Sequence, residues 1–168
     1  TYEEPGFSYV ALVGPTGEPF VQLTEPEPFE SLRELLYFPD GPTWSSDSRQ
    51  IAYAARHESA FHRVWIMSRS GGRRRLLLPD LDLPHHHVSF ARHDPALLAL
   101  VIEAVDGSDI WTVNVEAPDE RENLTRGRVV TPRWPRWSPD GARLVFAAEV
   151  AAPDAGEPLM KLFVLDRE

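Results

Sequence analysis

An all-β fold, made of short antiparallel meanders stacked sheet against sheet, is what this sequence predicts. Three observations carry the expectation. Sixteen prolines and ten glycines cut the 168 residues into short segments, which leaves little room for long helices. A unit of about 46.5 residues recurs along the chain, and repetition at that period marks arrays of one supersecondary unit. The candidate strands are apolar almost throughout instead of alternating, the pattern of strands covered on both faces.

Taken in order, the chain opens on the later part of such a unit: a strand at Tyr9–Val13, the turn Gly14-Pro-Thr-Gly17, then Gln22-Leu-Thr24. Pro28–Tyr37 is the one helical candidate, because Leu32, Leu35 and Leu36 share a face of a short helix or turn; it reads as a connection. The first full copy begins Pro42-Thr-Trp-Ser-Ser-Asp-Ser-Arg-Gln-Ile-Ala-Tyr53, with strands at Gln50–Ala54, Arg63–Met67 and Arg75–Leu78. A degenerate copy follows from Val88-Ser-Phe-Ala-Arg-His-Asp-Pro-Ala-Leu-Leu-Ala-Leu100, with strands at Leu97–Ile102 and Ile110–Val115 and the closing Asn123-Leu-Thr125. The best copy begins Pro135-Arg-Trp-Ser-Pro-Asp-Gly-Ala-Arg-Leu-Val-Phe146, with strands at Arg143–Ala148 and Lys161–Leu165. The aromatic anchors Trp44, Phe90 and Trp137 are spaced by 46 and 47 residues.

The turns fit a meander. In Ser138-Pro-Asp-Gly141, proline presets φ, aspartate bonds nearby N–H groups and glycine takes the left-handed conformation. The first copy has Ser45-Ser-Asp-Ser48, so either its turn is less strongly specified or Ser48 sits there at a cost. Asp106-Gly107 reads as a hairpin turn. A four-stranded unit of this length, sandwiched between copies of itself, is what a β-propeller blade requires.

Trp137-Ser-Pro-Asp-Gly-Ala-Arg-Leu-Val-Phe146, the aromatic strand after it, and the closings Gly71-Gly72…Leu77 and Asn123-Leu-Thr125 resemble the "PD"-type propeller repeat of TolB-like proteins, found also in tricorn-like proteases and in prolyl-oligopeptidase-type propellers. The resemblance covers most of residues 7–166. It implies one partial TolB-like propeller over residues 1–168, in units of about 7–27 (partial), 42–80, 88–127 and 135–168 (partial). The length holds about 3.6 units, fewer than the 4–8 blades of closed rings. The expectation is therefore part of a larger propeller, a ring completed by a second copy or another chain, or a small irregular four-bladed ring. The first two predict an isolated chain that is oligomeric or poorly soluble.

Composition excludes several classes. Hydrophobic residues are 42 % and charged residues 26 %, as in an ordinary soluble globular protein. The longest apolar run, Ala96–Ile102, is seven residues, far short of the roughly 20 a membrane span needs; no signal peptide is visible. With no cysteine, disulfides and thiolate chemistry are out. The net charge of −9, and six acids with no base in the first 30 residues, argue against a nucleic-acid partner.

Candidate chemistry is sparse. His85-His86-His87 is the conspicuous cluster, and imidazoles ligate zinc. Adjacent side chains diverge, however, so a metal site would need Asp80, Asp82 or His93, and a polar inter-blade loop is the simpler reading. His57 and His62 read as solvated. Asp40, Asp47, Asp106, Asp109, Asp140 and Asp154 read as turn residues. There is no Gly-x-Ser-x-Gly, phosphate-binding glycine loop or His-Glu-x-x-His, and Ser45 and Ser138 are turn serines, so no catalytic residue and no cofactor is expected. Arg73-Arg74-Arg75 could grip an acidic partner but reads first as a solvated tract. Trp44, Trp65, Trp111 and Trp137 follow the repeat and are expected in the core. Trp134 breaks it, in Pro132-Arg-Trp-Pro135, and with the arginine tract is the candidate partner-binding anchor. Asn123-Leu-Thr125 matches a glycosylation sequon that the repeat already explains.

The leading functional expectation is a non-enzymatic scaffold that binds a protein partner or a second copy of itself. The alternatives are a substrate-gating propeller whose serine-peptidase domain lies elsewhere, and a ligand- or metal-sensing propeller with His85–His87 at its mouth. The resemblance implies a cell-envelope setting, while the residues themselves fit the cytoplasm equally well.

Overall fold

The computed structural model describes residues 6–25, 27–29, 41–56, 61–150 and 159–167. Among them are fifteen strands and no helix. β1 (Gly6–Ser8) pairs with β4 (Glu27–Phe29), and β2 (Ala11–Val13) with β3 (Phe20–Gln22). The first four-stranded sheet is the meander β5 (Thr43–Trp44), β6 (Gln50–Arg56), β7 (His62–Ser68), β8 (Arg75–Leu76). The second is β9 (His85–Phe90), β10 (Leu97–Ala104), β11 (Gly107–Asn114), β12 (Arg121–Asn123). The third has three strands, β13 (Val130–Trp137), β14 (Arg143–Val150) and β15 (Leu159–Asp166). Every pairing is antiparallel. This is the predicted all-β, unclosed propeller.

One turn chemistry starts the meanders. The Ser45 hydroxyl donates to Asp47 Oδ1 (2.6 Å) and accepts from Gln50 N–H (2.9 Å), while Asp47 Oδ1 accepts from Arg49 N–H (3.0 Å). Ser138, Asp140, Ala142 and Arg143 repeat the network at 2.6, 3.0 and 2.9 Å. In both copies the serine hydroxyl, then the backbone N–H, hold the aspartate below the ordinary carboxylate range. The degenerate copy keeps only Asp94, which accepts from Ala96 N–H at 2.8 Å. The β10–β11 hairpin pairs Ala104 with Gly107, so its turn is centred on Val105-Asp106 and not on the expected Asp106-Gly107.

The sheets stack because their strands are apolar on both faces. Leu23 joins Ile51, Tyr53 and Met67 between β2–β3 and the first sheet. Ala52, Val64, Ile66 and Leu77 meet Val88, Leu98, Leu100 and Val113 between the first and second. Ala99, Val101 and Ile110 meet Trp137, Leu144, Phe146 and Ala148 between the second and third. The opening strands converge: Phe90 N–H donates to Thr43 Oγ1 at 3.4 Å, and Trp137 Nε1–H to Ser89 O at 3.1 Å. β5, β9 and β13 are thus the inner strands.

Three further expectations need correction. Trp44 is 45 % exposed, not core; Phe90 and Trp137 are covered by the inner strand before them, and no inner strand precedes β5 among the described residues. Pro28 and Phe29 lie in β4, where no helix begins; the rest of that candidate, with Asp40, His57 and Asp154, lies outside the described residues. His62 opens β7 half-buried, not solvated.

Candidate functional site on the inner strands

The inner strands β9 and β13 carry three irregularities of one kind. Opposite Leu100 the β9 register inserts His87 and Val88. Opposite Ala148, β13 inserts Thr131 and Pro132, and opposite Phe146 it inserts Trp134 and Pro135. Each is a β-bulge, two residues facing one. Its first residue is left-handed: His87 at φ 56°, Thr131 at 46°, Trp134 at 52°. Glycine takes that conformation freely, whereas another residue pays about 1 kcal/mol or more. Pro132 and Pro135 fill second positions, as expected of proline inside a sheet.

The bulges bring together residues that the sequence separates. Trp134, 42 % exposed between buried Pro132 and Pro135, meets the His87 ring edge to face at 5.7 Å. His87 meets His86 in the same manner at 4.3 Å. His86 Nε2 lies 2.8 Å from Glu103 Oε1. That hydrogen bond holds the Glu103 carboxyl below its ordinary range against the opposing effect of burial, and the charges of His86, His87 and Arg133 add to it. The result is an indole beside the half-buried Arg133, backed by imidazoles and a carboxylate.

The three histidines diverge, as their adjacency dictates. Fully buried His85 accepts Val64 N–H on Nδ1 (2.8 Å). Burial above all, then the charges of Arg63 and His86, press its pKa down to about 3. In the neutral ring the proton sits on Nε2, which is buried without a partner among the described residues. Asp82 pairs with buried Arg63 and not with histidine. His93 lies against Trp137 at 5.8 Å. Among the described residues no three His, Asp or Glu side chains are grouped to hold a metal ion.

The arginine tract divides. Arg74, half-buried, lies over the Trp65 ring at 4.4 Å; Arg73 and Arg75 are exposed as expected, although Arg75 also donates to Val115 O of the next sheet at 2.6 Å. All three belong to the outer edge of the first sheet, whereas Trp134 is on the inner strand of the third. Asn123 and Thr125 both donate to Asp109 (2.9 and 2.5 Å). Burial opposes the Asp109 carboxylate, but the bonds from Thr125, Gly127 N–H and Asn123 outweigh it and hold the carboxyl below its usual range. Sequence reasoning missed Glu103 and Arg133. The signal for the site was the pair of prolines inside one strand, at 132 and 135.

No protein-family model matches the sequence, and no curated protein matches it. Solved structures do match. TolB from Acinetobacter baumannii aligns with a TM-score of 0.61 at 17 % identity, over 90 % of this chain and 34 % of that one. A protein described as a TolB from Agrobacterium tumefaciens gives 0.61 and 17 %, over 96 % and 58 %. The β-propeller domain of the trilobed protease from Pyrococcus furiosus, which has an open velcro topology, gives 0.51 and 12 %, over 98 % and 54 %. The chain spans between a third and three-fifths of these proteins. At such identities the likeness is one of fold: a β-propeller.

Proposed function

We propose that this chain is a non-enzymatic β-propeller module that binds a protein partner through Trp134. One observation carries the reading. An indole is held half in solvent, beside Arg133, by a bulge whose left-handed tryptophan costs stability, and strain of this kind is retained where it positions a working side chain. Tryptophan and arginine are also the residues that dominate binding hot spots. Substrate gating for a peptidase draws support from the fold alone, since peptidase propellers share it; the platform is the more specific observation.

The test is affinity capture from the native source, with the tagged parent and Trp134→Ala side by side. The expected result is a discrete protein partner whose affinity falls at least tenfold in the variant, about 1.4 kcal/mol or more, while circular dichroism and melting are unchanged. A partner held equally by both proteins overturns the assignment to Trp134.

A further inference from the structure

The positive charge of this chain is concentrated in one sheet. Residues 41–80 hold seven arginines against three acids, on a chain whose net charge is −9. Arg63 is buried and pairs with Asp82, and Arg74 lies over Trp65. Arg49, Arg73 and Arg75 have a different setting. All three line one cleft of about 600 Å³, in which Ser68 of the first sheet faces Glu116, just beyond β11 of the second.

The cleft follows from strand register. Gln50 is paired with Ser68 and Ile66 with Arg75, and residues two apart on a strand share a face. Ile66 packs into the core between the two sheets, so Gln50, Ser68 and Arg75 also face the second sheet. Where that core ends, hydrogen bonds bridge the gap. Gln50 Nε2–H donates to Glu116 Oε1 (2.7 Å), and Arg75 Nη2–H donates to Val115 O (2.6 Å). Both walls are described residues, so the cleft needs no further sheet of the repeat to form it. Its bridges hold it in shape before any ligand arrives, which lowers the cost of binding.

The charge inside is unbalanced. The bond from Arg75 goes to a neutral carbonyl and leaves its charge uncompensated. Arg49 stands 3.7 Å from Asp47, with 83 % of its side chain in solvent. Arg73 has no hydrogen bond or ion pair among the described residues. Glu116 is the one carboxylate in the lining. Three guanidinium charges facing one carboxylate leave two uncompensated, and a phosphate monoester carries about −1.5 to −2 at neutral pH. Guanidinium forks also match phosphate oxygens in geometry. We propose that this cleft binds a phosphate dianion, free or as a monoester. Arg49 and Arg73 supply charge-assisted donors, Arg75 anchors the site across the two sheets, and Glu116 weakens binding by facing the same anion. The cleft belongs to the first two sheets and Trp134 to the third, so the inference is independent of the partner reading.

Isothermal titration calorimetry of the 168-residue chain at constant ionic strength tests it with three probes. Inorganic phosphate and N-acetylphosphoserine amide are the dianions, and dimethyl phosphate is the monoanionic control. Both dianions should bind, and dimethyl phosphate at least about fivefold more weakly. Tighter binding of the monoester would mean that the cleft also holds the ligand's body, and equal binding that it reads the phosphate alone; both accord with the proposal. Arg49→Gln with Arg73→Gln should weaken binding about tenfold or more, as loss of charge-assisted bonds does, with unchanged circular dichroism. Glu116→Gln keeps an oxygen for Gln50 and removes the repelling charge, so it should tighten binding about threefold. Arg128→Gln, at an exposed arginine outside the cleft, and Trp134→Ala should leave binding unchanged. Neither dianion binding at millimolar concentration overturns the proposal. So does equal affinity for dimethyl phosphate, binding that survives loss of Arg49 and Arg73, or weaker binding after Glu116→Gln.

Discussion

Ser48 and Gly141 occupy one place in two copies of a turn, and both are left-handed, at φ 59° and 73°. The glycine takes this conformation freely; the serine carries the steric cost of its Cβ. Ser48→Gly should therefore stabilise the protein, by about 0.5 kcal/mol once the greater freedom of glycine in the unfolded chain is deducted, or roughly 1–2 °C in melting temperature. Gly141→Ala should do the reverse, and by more. A Cβ there keeps the wrong φ and also overlaps the His93 ring, which rests on Trp137; overpacking of that kind costs about 1–3 kcal/mol. Thermal melts of the two variants check both signs. Much at this scale was legible, since Ser-x-Asp turns carry their own hydrogen-bond logic. The His87–Trp134 contact was not. It joins two bulges that are 47 residues apart in sequence, and neither the bulges nor their facing is a local property.

Among the elements, one N–H beside the outer strand of three of the sheets is met by a side chain, a threonine hydroxyl in two and an imidazole in the third. Val10 N–H goes to Thr24 Oγ1 (2.9 Å), Ile110 N–H to Thr125 Oγ1 (3.0 Å) and Val64 N–H to His85 Nδ1 (2.8 Å). The preceding leucines align as well: Leu23, Leu124 and Leu77 donate to the carbonyls of Val10, Ile110 and Val64. The Leu-Thr closings were readable because they repeat. In the first sheet Leu78 replaces the threonine and is buried, so the acceptor comes from the inner strand of the next sheet, which no repeat alignment reveals. Thr125→Val should cost about 1–3 kcal/mol by stranding a buried N–H. His85 adds a pH dependence. Its folded pKa, about 3, lies below the unfolded value of 6.5, so between those values the unfolded state binds the extra proton. Stability is complete above about pH 6.5 and falls as the pH drops toward 3, by up to about 1.4 kcal/mol per unit. Below about pH 4.5 the held carboxyl of Glu103, and below about pH 4 that of Asp109, add to the loss. His85→Asn, which keeps an acceptor near Nδ1, should flatten denaturation curves between pH 6.5 and 4.5; an unchanged slope there would remove His85 as its source.

At the scale of the whole molecule, stacked repeats share stability mainly between neighbours, so protection should follow coverage. The second sheet is covered on both sides, and Leu98, Leu100, Val113 and Val115 are entirely buried. The third sheet is covered on one side, and β15 turns Leu162 and Val164 to solvent. The sequence could not rank them: Leu162-Phe-Val-Leu165 is as apolar as Ile110-Trp-Thr-Val113, and what separates them is only what lies on top. Native-state amide exchange should therefore be slowest in β10 and β11 and faster in β14 and β15, because openings that expose little additional apolar surface cost least.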